Sequence, residues 1–311
     1  MIPLWQGSCN QWDCDEMGHM NVRVYVEKQL EGLVTLCHAA GMPNAFRPNS
    51  PSTVAPVDQH IRFVREVLPG RPLKMSGCTL EIGTSDAVVY QELRHTDGTL
   101  SAAFRTRIAH LDTAEGKAFP WTKRVLAKLE ALKGETPDEA KPRSFDPDGP
   151  GLPMDEITLD RVETVGAPRI GLGAVPAAHC GAHGWMSPSW VIGRVSDSVG
   201  HLLRPWREKV VREAEARGEK VKLGGAVLEY RLAYRRWPRA GDRFVIRSAR
   251  SFQKEKTHSF VHWLIDPDSG EAWCTTEAVA VVLNLATRKI MPATPELQAS
   301  LRLVAPEGLS V

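Results

Sequence analysis

Asp13-Cys14-Asp15-Glu16-Met17-Gly18-His19-Met20-Asn21 is the stretch on which the reading of this chain turns. It holds three carboxylates, a histidine and a carboxamide, with a glycine where the backbone must turn sharply. Directly after it, Val22, Val26, Leu30, Leu33, Leu36 and Cys37 form one apolar stripe, which predicts a helix from Val22 to about Ala40. Gly41 with Met42-Pro43 stops that helix. The first turn of such a helix presents unpaired N–H groups and a positive dipole end, which suit a developing oxyanion. The stretch therefore reads as an active-site loop.

Composition narrows the classes around it. The 311 residues are 42% hydrophobic, enough for two domains, each with its own core. With 39 basic and 37 acidic residues, net +2, there is no electrostatic footprint for nucleic acid. No apolar run approaches the roughly 20 residues of a membrane span, and Met1-Ile2-Pro3-Leu4-Trp5 lacks the order of a signal peptide. Six scattered cysteines (9, 14, 37, 78, 180 and 274) fit reduced thiols, and the expected location is cytoplasmic.

Along the chain, residues 3–12 read as one strand leading into the loop, and 44–56 as a Pro-, Asn- and Ser-rich loop. The period then changes to two. Gln59–Leu68, Pro72–Ile82, Ala87–His95 and Leu100–Leu111 read as four strands, followed by a short amphipathic helix over Trp121–Lys133. Gly134–Gly151 lacks periodicity and reads as linker. The second half then repeats the first. Gly184-Trp185-Met186 answers Gly18-His19-Met20 at an offset of 166, ahead of a helix over Pro188–Leu203 with Ser187 as N-cap. Glu229–Leu232 answers His60–Phe63 at 169, and Gly241 answers Gly70 at 171. The main insertion is a charged helix over Pro205–Lys222. Two copies of one helix and a four-stranded antiparallel meander are expected, each sheet wrapping its own helix, the copies paired as a pseudo-twofold dimer.

Layout and motif together resemble the hotdog-fold acyl-CoA thioesterases of the 4-hydroxybenzoyl-CoA thioesterase type. The pattern Asp-x-Asp-x-x-Gly-His-x-Asn-x-x-x-Tyr stands here as Asp13, Asp15, Gly18, His19, Asn21 and Tyr25, and His60–Glu66 with Pro69-Gly70 is also similar to that family. The resemblance covers about residues 5–115 and, more weakly, 172–290. It implies an α+β fold of two tandem hotdog units: 1–134 with the catalytic motif, 135–165 as linker and 166–311 with a degenerate motif. It further implies that Asp15 attacks the thioester or activates water, that the backbone near Val22 polarises the carbonyl, and that CoA lies along the interface between the units. The second copy departs from the pattern. Gly181 answers Asp15, Trp185 answers His19 and Ser187 answers Asn21, so one working site per chain is expected.

The chemistry suits these residue types. A carboxylate is ionised at neutral pH and can act as nucleophile, through a mixed anhydride, or as general base; both remain open for Asp15. Gly18 lets the backbone take φ > 0, and His19 and Asn21 can hold water or carbonyl in line. Each also has a plainer reading: Asp15 can close an Asx-turn, Asn21 can be an N-cap, and His19 a satisfied loop histidine. Tyr25 and His60 stand as candidate substrate contacts, with core packing as the alternative for Tyr25. Cys9, Cys14 and His19 lack a fourth ligand for zinc, so neither metal nor cofactor is expected. Arg62, Arg65, Arg94, Arg105, Arg107, Arg235, Arg236, Arg247 and Arg250 are the candidates for CoA phosphates. The sequence thus points to an acyl-CoA thioesterase. The rival readings are a non-catalytic acyl-CoA or acyl-carrier binding protein and, less well supported by the Asp–His spacing, a hotdog hydratase. Further pairing of the pseudo-dimer into a homo-oligomer is compatible with such a fold, and the acyl group is left unspecified.

Overall fold

The computed structural model describes every residue except 147, 148, 150, 219, 254, 255, 286, 288, 292–294, 296–298, 300, 303 and 304. Two compact units emerge, Met1–Phe145 with Ala177–Gly193, and Asp146–Pro176 with Arg194–Val311. The first holds β1 (Ile2–Ser8), α1 (Val22–Ala39), β2 (Ser52–Phe63), β3 (Pro72–Ile82), β4 (Asp86–His95), β5 (Leu100–Asp112) and α2 (Lys123–Ala131). The second holds α3 (Leu159–Val165), β6 (Arg169–Ala174), α5 (Gly200–Ala216), β7 (Leu223–Tyr234), β8 (Arg243–Gln253), β9 (His258–Ile265), β10 (Ala272–Asn284) and the two-residue β11 (Lys289–Ile290). The helix α4 (Pro188–Ser198) is divided between them.

The strand order is β1-β3-β4-β5-β2 in the first unit and β6-β8-β9-β10-β7 in the second, with every neighbouring pair antiparallel. The same order twice is the repeat made visible, and the chain is a tandem of hotdog units in the α+β class. The expected four-stranded meander is corrected. Only β3-β4-β5 run as neighbours, because β2 pairs with β5 and the eight-residue connection 64–71 carries the chain away from it. Part of the expected loop 44–56 is also strand, since β2 starts at Ser52. The helix expected over Pro188–Leu203 ends at Ser198, and α5 begins at Gly200 and runs through Pro205.

Both units bury the two faces of their central strands: β4 is buried from Ala87 to Leu93 and β9 along its whole length, polar residues included. In the first unit, Ala140 covers the outer face over Cys78, Tyr90, Leu100 and Ala103. In the second, Ile157 and Val162 cover Val245, Val261 and Trp263. Residues 135–165, expected as linker, thus supply one cover to each unit; positions 147, 148 and 150 of that stretch lie outside the described residues. Two buried arginines in equivalent strands tie this segment down: Arg62 donates to the Lys141 carbonyl (2.8 Å) and Arg231 to that of Gly149 (2.7 Å).

The inner face of the first sheet meets α1 through a polar layer. Gln29, Gln59, Gln91 and Thr106 are all fully buried. Gln29 bonds Gln91, Gln59 bridges Gln29 and Thr106 at 3.2 Å each, and Gln91 Nε2 donates to the Gln29 carbonyl at 3.0 Å. Gly32 makes room for it, because a Cβ there would lie 2.8 Å from Gln91 Nε2 and 2.5 Å from Met75 Sδ. Alanine would gain roughly 1 kcal/mol of helix propensity. Against that, forcing a methyl onto a side chain held by hydrogen bonds typically costs about 1–3 kcal/mol. Gly32→Ala is expected to lower stability by about 1 kcal/mol, read as a melting temperature lower by a few degrees; an unchanged or higher value would show that the layer yields.

Candidate active site

The motif folds as a tight hairpin at the start of α1. Cys14 and Met20 form a bridge, Asp15 N–H donates to the His19 carbonyl (2.9 Å), and Gly18 N–H donates to that of Asp15 (3.0 Å). Gly18 takes φ +79°, the left-handed turn the sequence asks of it. At the base, Asn21 N–H donates to the Asp13 carbonyl (2.9 Å), so hairpin and helix start are one hydrogen-bonded piece.

Asp15 does close an Asx-turn. Its Oδ1 accepts from the N–H groups of Met17 (2.9 Å) and His19 (3.2 Å). Oδ2 has no hydrogen-bond partner among the described residues, and the side chain is half-buried. His19 Nε2 lies 3.2 Å from Glu66 Oε2, which anchors its ring. Asn21 is the N-cap of α1, its Oδ1 accepting from Arg23 N–H (2.9 Å). The Val22 N–H meets no acceptor among the described residues and opens the helix. Asp15, Gly18, His19, Asn21 and Val22 are therefore brought together in one loop-and-helix start.

The two residues expected as substrate contacts are both buried. Tyr25 is in the core, its ring edge-on to Phe63 at 5.1 Å, and burial pushes its hydroxyl pKa upward. It shares its face of α1 with the buried Gln29 and Leu33, four and eight residues on, so the helix turns it inward. His60 is buried in β2, its ring 6.1 Å from Phe145. Most arginines considered for phosphates are also committed. Arg94 chelates Glu92, Arg107 pairs with Asp86, Arg105 with Glu81 and Arg247 with Glu163, while Arg65 stays exposed near Asp97.

Sequence reasoning missed three supports. Glu66 comes from the connection after β2; the resemblance took in His60–Glu66 but gave Glu66 no role. Lys28, on α1 and nearly buried, holds its Nζ 3.9 Å from Asp13 Oδ2 and over the Trp5 ring; the same Asp13 oxygen accepts from Asn10 N–H (2.8 Å). The third is Trp190 at the start of α4. His179 stacks on its indole with centroids 3.4 Å apart, and the Arg23 guanidinium lies 4.5 Å from its ring.

The degenerate loop Ala177–Ser187, which belongs to the first unit, repeats the hairpin bond for bond. Cys180 bridges Met186, Gly181 N–H donates to Trp185 O, Gly184 N–H to Gly181 O, and Ser187 N–H to His179 O. Gly184 has φ +75°. His183 Nε2 donates to the Ala45 carbonyl (3.0 Å), so this loop packs within the first unit. One scaffold thus occurs twice, with a carboxylate in only one copy. Among the described residues, no group of three metal-ligating side chains converges, and no helix is long and apolar enough to cross a membrane.

Comparison with known proteins agrees with this layout. A family model described as the thioesterase-like superfamily matches residues 9–129 and 175–301. No curated protein matches the sequence. Among solved structures, an acyl-ACP thioesterase from Bacteroides thetaiotaomicron is 11% identical, with a TM-score of 0.61 over 89% of this chain and 96% of that one. The 12:0-ACP thioesterase from Umbellularia californica is 10% identical, with a TM-score of 0.64 over 89% and 92%. At such identity the likeness is one of fold.

Proposed function

Since the chain belongs to the thioesterase-like superfamily and is a thioester hydrolase, we propose that it cleaves acyl-CoA thioesters to free acid and CoA at the Asp15 hairpin. One observation carries the assignment to this loop: two hairpins share their backbone hydrogen bonds, only the first carries carboxylates, and of these Asp15 stands where the twin has Gly181.

In this reading the thioester carbonyl sits against the Val22 N–H at the positive end of α1, where one well-placed donor is typically worth about 3 kcal/mol. Asp15 Oδ2 then attacks the carbonyl carbon, expelling the CoA thiolate and leaving a mixed anhydride that water opens. Alternatively, it takes the proton of a water that attacks directly. Its Oδ1 stays tied to Met17 and His19 in either case. His19, braced by Glu66, and Asn21 orient the water or the carbonyl.

The test is thiol release from a panel of acyl-CoA and acyl-carrier-protein thioesters of varied chain length. Turnover of CoA substrates supports the reading. Tight binding with no release from any of them would favour the non-catalytic alternative, and release from carrier-protein substrates only would replace CoA as the carrier.

The twin loop gives a control. Gly181 is exposed, and a Cβ there would meet nothing closer than the Trp185 carbonyl oxygen at 3.9 Å. Gly181→Ala is expected to keep turnover within about twofold and alter at most substrate preference. Complete loss of hydrolysis in a folded Gly181→Ala protein would overturn the single-site assignment.

A further inference from the structure

The active-site hairpin carries a pair of thiols that hydrolysis does not use. Cys9 directly follows β1 and is fully buried, and Cys14 immediately precedes Asp15 and is half-buried. The one-turn segment Gln11–Asp13 folds the chain back, so the two sulfurs lie 3.6 Å apart, both reduced. Both also approach one acceptor, the Asn10 carbonyl, at 3.6 Å from Cys9 Sγ and 3.4 Å from Cys14 Sγ. A disulfide needs sulfurs about 2.05 Å apart, so closing the bond requires an approach of about 1.6 Å.

We propose that Cys9 and Cys14 are an oxidative modification site: a peroxide converts them to an intrachain disulfide that slows the adjacent Asp15 hairpin. The slowing rests on the hydrolase reading above; bond formation does not. The half-buried Cys14 thiolate attacks the peroxide, giving a sulfenic acid and, from hydrogen peroxide, water. Cys9 sulfur then attacks the sulfenyl sulfur, the S–S bond forms, and hydroxide leaves with the Cys9 proton as a second water. Cys14 is the first to react because it is the one a peroxide can reach; Cys9 is fully buried, and that burial, followed by its contact with Cys14, pushes its thiol up to about 12.

The bridge has mechanical reach. Cys9 is pinned at the sheet edge, its N–H donating to Arg71 O (3.0 Å) and its carbonyl accepting from Gly70 N–H (2.8 Å). Cys14 is bridged to Met20 at the neck of the hairpin. Drawing Cys14 toward that fixed point moves the residue preceding Asp15 while the sheet stays in place. The second copy supplies an internal control. Cys180 answers Cys14 and keeps its backbone bond, Cys180 N–H to Ala177 O, but the residue answering Cys9 is Val175, which has no thiol.

No lysine or arginine precedes Arg23, so both cysteines fall on the single tryptic peptide Met1–Arg23, and Cys180 falls on Ile170–Arg194. After brief exposure to stoichiometric hydrogen peroxide and alkylation of remaining thiols, Met1–Arg23 should be lighter by about 2 Da than the reduced, unalkylated peptide. Ile170–Arg194 should carry no cross-link. Hydrolysis should fall severalfold, and dithiothreitol should restore mass and rate together. Cys9→Val, the residue of the twin, and Cys14→Ser should each abolish the mass change and blunt the peroxide effect. Doubly alkylated Met1–Arg23 after peroxide, or a cross-link that leaves the rate unaltered, overturns the proposal. If no thioester is turned over even when reduced, the mass arm still decides bond formation, and the failure lies with the hydrolase reading.

Discussion

Asp15→Asn should cut thioester hydrolysis by about 10²–10⁴-fold, the range over which a lost general base or nucleophile is felt, with the fold intact. The reason is local. Asp15 Oδ1 accepts the Met17 and His19 N–H groups, and an asparagine Oδ1 can accept the same two bonds. The substitution therefore removes the charge and the nucleophilic Oδ2 and leaves the turn. Stability should change by less than about 1 kcal/mol, while kcat falls far more than KM rises. The paired measurement is steady-state thiol release and chemical unfolding on one preparation. Turnover within tenfold of the parent would remove Asp15 from the chemistry, and collapse of the unfolding transition would show the carboxylate to be structural. His19→Ala tests its neighbour more gently, because only the contact with Glu66 and the alignment it gives would be lost.

The residues that gave the site away in the sequence did so because a hairpin is local. Asp13 to Asn21 closes on itself, and its backbone bonds span three to eight residues. Repetition was legible for a similar reason: Gly18 and Gly184 both need a positive φ, and no other residue adopts it as cheaply. What escaped was tertiary. Glu66 reaches His19 from a connection whose course depends on β2 pairing with β5. Nothing in the local pattern distinguishes that pairing from a simple meander. Tyr25 is buried because its ring falls on the inner face of α1, where burying an aromatic ring outweighs what one hydroxyl loses. The glutamine layer beneath α1 was invisible for the opposite reason. Gln29 interrupts an apolar stripe and reads as solvent-facing until Gln59 and Gln91 arrive across the sheet.

The second unit should lose stability steeply in mild acid. His258 and His262 lie along β9, 7% and 1% exposed. The ring of His262 is hydrogen-bonded to Ser248 Oγ and stacked 6.4 Å from Phe260, and His258 lies edge-on to that same Phe260 at 5.3 Å. Burial disfavours the imidazolium and takes His262 down to about 3; burial and then the Arg207 charge take His258 down to about 4. Unfolded, both titrate near 6.5. Between those values and 6.5 the unfolded chain binds protons that the folded chain refuses. Stability is therefore fully present above about pH 6.5 and is lost as pH falls, at about 1.4 kcal/mol per pH unit for each histidine. By pH 4.5 the pair together would cost about 5 kcal/mol, the lower end of a typical domain's whole stability. Urea midpoints measured from pH 7.5 to 4.5 should fall accordingly. His262→Gln, which keeps a hydrogen-bonding group for Ser248 and cannot charge, should roughly halve the slope. A midpoint flat between pH 7 and 5, or an unaltered slope in His262→Gln, would show that these imidazoles gain their protons inside the folded sheet.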